Sequence, residues 1–92
     1  MALQTKTVTT GTLITRAFLV EDLDGREPIE RVEAANAMFC VDYLKEKYEL
    51  EGINIAVPEE DCNITTRFLI RQVDKDDDSK VLKTWAVIKR PW

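Results

Sequence analysis

The chain contains no histidine. That absence excludes Ser-His-Asp and Cys-His catalysis, imidazole-based metal sites and the side chain that titrates nearest neutral pH. Only two cysteines are present, Cys40 and Cys62, too few for a disulfide scaffold. Three glycines and three prolines leave no linker or low-complexity tract. No apolar run approaches the roughly 18 residues that cross a membrane as a helix. The N-terminal MALQTKTVTTGTLITRAFL lacks the compact apolar segment of a signal peptide. Together these absences set the expectation of a cytoplasmic, non-enzymatic domain with neither cofactor nor metal.

What is present suits one domain over residues 1–92. A hydrophobic content of 45% with 33% charged residues is that of a folded chain, and the length supports a core without staples. The net charge of −4 is unevenly spread: residues 1–20 carry +2, residues 21–61 carry −9 and residues 62–92 carry +3. The middle of the chain is an acidic block and its last third is mildly basic.

Residues 5–22 are rich in Thr, Val, Ile, Leu and Phe, side chains that fit a pleated surface, and read as a strand with Gly11 at a bulge or at its true start. Asp24-Gly25 supplies a tight turn. The following EPIERV is either a second strand or, with Pro28 at the first helical position, the start of a long helix. A helix over residues 37–50 is expected from the stripe Ala37, Cys40, Val41, Leu44 and Tyr48, with Asn36 as N-cap and Gly52 as terminator. Phe39 and Tyr43 fall off that stripe; they are expected to pack at its margin, the alternative being an exposed apolar spot. Residues 53–63 read as a short extended segment and a loop broken at Pro58. Residues 64–73 and 81–89 read as two strands joined by DKDDDSK, hence antiparallel. The expected fold is α+β: an antiparallel sheet of about four strands in the order β-β-α-β-β, or β-α-β-β, with one helix packed on one face.

The aspartates of that connection invite a calcium reading. Asp74, Asp76 and Asp78 match the first half of an EF-hand loop, but Ser79 stands where glycine is needed and Trp85 where glutamate is needed. The segment is therefore expected to be a solvated hairpin tip. Glu59, Glu60 and Asp61 are consecutive in a loop, which gives no convergence and no burial to raise a carboxyl pKa for acid catalysis. Cys40 sits in an apolar helical pattern as a buried thiol. Cys62 follows PEED, whose charges discourage a thiolate nucleophile. Asn63-Ile64-Thr65 is a glycosylation acceptor pattern that matters only in a secreted protein. The terminal Trp92 either frays or caps the core or a dimer seam.

Two binding surfaces remain. The acidic side of the helix region, with Glu27, Glu30, Glu33, Asp42, Glu46, Glu49 and Glu51, suits a protein partner with a basic surface. Homodimerisation through a sheet edge is a related possibility. The alternative is a basic sheet face built from Arg16, Arg67, Arg71 and Lys83, which would hold single-stranded nucleic acid with aromatic help. The acidic overall charge favours the protein partner.

Overall fold

The structure is a computed structural model that describes residues 7–9, 16–25, 28–64 and 66–90. The positions of Gly11, Glu27, Thr65 and Trp92 lie outside the described residues.

Strand β2, Arg16–Asp22, alternates in the way a two-sided sheet requires: Phe18 and Val20 enter the core. It turns at Asp22, whose carbonyl accepts from the Gly25 N–H at 2.9 Å, and whose carboxylate accepts from the Asp24 N–H. Gly25, at φ +70, takes the left-handed conformation that the turn needs. The chain returns as β3, Glu30–Ala34, antiparallel to β2 with Phe18 opposite Val32. The ambiguity at EPIERV thus resolves as strand. A three-residue strand β1, Thr7–Thr9, runs parallel to the outer edge of β3. The single strand expected over 5–22 is therefore two separate strands among the described residues.

Helix α1 spans Ala37–Tyr48. The Asn36 carboxamide oxygen accepts from the Met38 and Phe39 N–H groups at 3.0 and 3.3 Å, as expected of the cap. The C-terminus differs from the expectation. Glu49, not Gly52, leaves the helix in the left-handed region at φ 52 and ψ 47. Its N–H and that of Leu50 turn back to the Lys45 carbonyl, closing the helix two residues early.

Strand β4, Asn54–Pro58, follows, and a 3₁₀ turn, Glu59–Asp61, ends it. This fifth antiparallel strand was expected only as an extended segment. Strands β5, Phe68–Asp74, and β6, Asp77–Lys89, form the closing hairpin. Their connection is only Lys75 and Asp76, far tighter than the seven-residue tip expected, because Asp74 and Asp77 already pair. The sheet order is β1-β3-β2-β5-β6-β4, with every pair except β1–β3 antiparallel. The architecture is a two-layer α+β domain.

The core lies between one sheet face and α1. Phe18, Val20, Val32, Phe68, Ile70 and Val87 meet Ala37, Cys40, Val41 and Leu44 of the helix. Ile70 pairs with Trp85 in the hairpin register, and Trp85 leans on Phe18 with ring centroids 6.0 Å apart. On the opposite face the hairpin bends. Two register shifts, between Gln72 and Val73 and between Val73 and Asp74, insert extra β6 residues and increase the local twist. The tip reaches across β2 to β3, where Arg31 pairs with Asp78 at 3.3 Å and donates to the Lys75 carbonyl at 3.2 Å. Ala17 and Val73, register partners on that face, are buried.

Candidate interaction surfaces

The helix sorts its residues into two faces. Ala37, Cys40, Val41 and Leu44 are buried, which turns Met38, Asp42, Lys45, Glu46 and Glu49 toward solvent. Asp42, Glu46 and Glu49 follow one another at helical spacing and form no ion pair among the described residues. Their placement carries a local cost. Asp42 and Glu46 are like charges four residues apart, and Glu46 and Glu49 sit at the negative end of the helix dipole. Lys45 and Lys47 in the last turn offset part of that cost. At the other end of the same face Met38 and Phe39 are 41% and 37% exposed. Phe39 therefore does not pack at the core margin as expected. Phe39 lies outside the buried stripe of Ala37, Cys40, Val41 and Leu44.

The remaining acidic candidates are elsewhere. Glu30 points under the helix and is 8% exposed. The Tyr43 hydroxyl donates to its Oε2 at 2.5 Å, and the Lys47 ammonium pairs with its Oε1. Burial holds the Tyr43 hydroxyl above its usual pKa, with the neighbouring Tyr48 adding to the shift. Lys47 also lies 5.3 Å from the centre of the Tyr48 ring, and Arg67 lies 5.0 Å from that ring. Arg67 in turn grips the buried Asp22 through Nε and Nη2, both at 3.3 Å. Hydrogen bonding to Asp22 raises the Arg67 pKa further above its ordinary value. This chain of charges and rings clamps the second half of α1 onto the starts of β3 and β5. Glu30 serves that clamp and is not part of an exposed acidic surface. Glu33 is on the opposite sheet face, hydrogen-bonded to Arg31 at 2.6 Å, which holds its carboxyl below the usual range.

The basic candidates do not converge on one face. Arg16, on the same side of β2 as Phe18, donates to the Ala35 carbonyl at 2.6 Å. Arg67 is held in the clamp beside the helix. Arg71 faces the opposite side of the sheet and pairs with Glu21 at 2.5 Å. Lys83 lies 5.2 Å from the Trp85 ring.

The aspartate tip uses its charges internally. Asp74 accepts from the Asp76 N–H at 2.9 Å. Asp77 accepts from both the hydroxyl and the N–H of Ser79, which holds its carboxyl below the usual range. No group of three or more potential metal ligands exists among the described residues. Glu59 and Glu60 line an open depression of about 310 Å³ with Pro58, Leu82, Lys83 and Thr84. No helix among the described residues is long and apolar enough to cross a membrane. Comparison with protein-family models, with curated proteins and with solved structures found no match to this chain.

Proposed function

We propose that this chain is a non-enzymatic interaction module that engages a basic protein through the solvent face of α1. The observation that supports the reading is the stripe Asp42, Glu46 and Glu49, which forms no ion pair among the described residues and adjoins the exposed Met38 and Phe39. The carboxylates steer a cationic partner toward the face. The two apolar side chains then supply the contact that excludes water. Fold stability alone gives no reason for three acids gathered toward the helix C-terminus. The working compartment fits the cytoplasm, since Cys40 and Cys62 are both free thiols.

Affinity capture from the native host, read by mass spectrometry, tests this. The wild-type chain should recover a basic protein, with recovery falling as salt rises. The triple variant Asp42→Lys, Glu46→Lys, Glu49→Lys should lose it while melting at a similar temperature. Equal recovery by both chains, or recovery of nucleic acid in place of protein, counts against the proposal.

A further inference from the structure

Strand β4 closes one side of the sheet, and among the described residues no strand lies beyond it. Its pairing decides which backbone groups face out. The Arg90 N–H donates to the Ile53 carbonyl at 2.8 Å, so antiparallel alternation aims the backbone groups of Ile53, Ile55 and Val57 at β6. Those of Asn54 and Ala56 point away from β6, in the plane of the sheet. Two observations agree. Pro58, which has no N–H to offer, falls in the outward set. The Val87 carbonyl, opposite Ala56, turns away from β4 and accepts from the Thr66 hydroxyl. Sheet edges are ordinarily blunted by charged side chains or by bulges. This one carries neither: Ile53–Pro58 holds no charged residue, and β4 pairs with β6 without a register shift. The 3₁₀ turn after Pro58 does not fold back over the edge. It bends inward, where Glu59 and Glu60 lie beside Leu82, Lys83 and Thr84.

Acids stand at both ends of the uncharged run. Glu51 precedes it, and Glu59, Glu60 and Asp61 follow. All four are exposed, and none forms an ion pair among the described residues. That arrangement disfavours a second copy of this chain. An antiparallel copy bonded through Asn54 and Ala56 brings Glu51 toward Glu59 or Asp61, and a parallel copy sets the same acids side by side. We propose that β4 takes up an extended segment of a protein partner as a further strand, a segment with alternating apolar residues at its centre and Lys or Arg at its ends. Backbone bonds to Asn54 and Ala56 set the register. Every second side chain of the segment continues the row of half-buried Ile55 and Val57, and the cationic ends meet the acids. This surface is separate from the solvent face of α1, and either proposal can fail alone.

Fluorescence anisotropy with labelled peptides tests the pairing. The probe has a Val-Thr-Val-Thr-Val centre with paired lysines at each end, and its control has glutamates in their place. The lysine peptide should bind reversibly and less tightly as salt rises, and the glutamate peptide about tenfold more weakly or worse. Amide hydrogen exchange at Asn54 and Ala56 should slow on binding. Ala56→Pro removes an outward N–H and leaves the β6 ladder intact, so it should weaken the lysine peptide about tenfold with an unchanged circular dichroism spectrum. If that variant fails to fold, Glu51→Lys with Asp61→Lys is the second arm, which should weaken the lysine peptide and strengthen the glutamate peptide. No binding of the lysine peptide, equal binding of both peptides, or binding without slowed exchange at Asn54 and Ala56 overturns the proposal. A wild-type chain that sediments as a dimer while Ala56→Pro sediments as a monomer places a second copy on the edge, and overturns it as well.

Discussion

The two thiols have the same chemistry and opposite surroundings. Cys40 is fully buried beneath α1, and burial pushes its thiol up to about 12. Cys62 is half-buried on the loop after the 3₁₀ turn, where its Sγ–H donates to the Ile64 carbonyl at 3.4 Å. A thiol-specific reagent should therefore modify Cys62 in the folded protein and reach Cys40 only on unfolding. Two equally fast thiols without denaturant would contradict the packing of the helix. The raised pKa also has a stability consequence. In the unfolded chain Cys40 ionises near its ordinary value of about 8.5, whereas in the folded chain it holds its proton to about 12. Stability from this group is complete below the ordinary thiol pKa and is lost as pH rises through that window. Tyr43, also shifted upward, acts in the same direction at higher pH.

At the scale of elements, signals carried by neighbouring residues were legible and those carried by distant partners were not. The Asn36 cap acts on groups two and three residues away, so sequence placed it correctly. Asn36→Ala should cost about 1 kcal/mol in a urea melt, and an unchanged midpoint would mean that the cap is not satisfied as described. The helix end was misread because Gly52 suits a left-handed terminator, yet the chain takes that conformation at Glu49. Gly52 is needed for another reason: it sits at φ +75, a backbone conformation that side chains with a Cβ rarely adopt. Strand β4 was hidden because Pro58 reads as a breaker, although a proline at the last strand position removes only a terminal donor. The inward turn of Glu30 had no local signal at all, since its partners Tyr43 and Lys47 arrive on the helix.

For the whole molecule, the layer arrangement followed from periodicity: one helical stripe and several alternating strands can bury their apolar faces only against each other. The distribution of charge over the finished surface did not follow, because it depends on which acids find internal partners. Of the seven acidic residues that sequence placed on a binding face, Glu27 lies outside the described residues, Glu30 and Glu33 are held by Lys47 and Arg31, Glu51 is exposed beyond the helix, and Asp42, Glu46 and Glu49 remain on one exposed helix face. The basic residues dispersed over both sheet faces for the same reason. The helix face is where the functional claim is concentrated, and site-specific photo-crosslinking in the native host tests it most directly. A photoreactive residue at Glu46 should trap a basic protein, and the same group at Glu33 on the opposite sheet face should not. Capture of the same partner from Glu33 but not from Glu46 would contradict the assignment of α1 as the interaction surface.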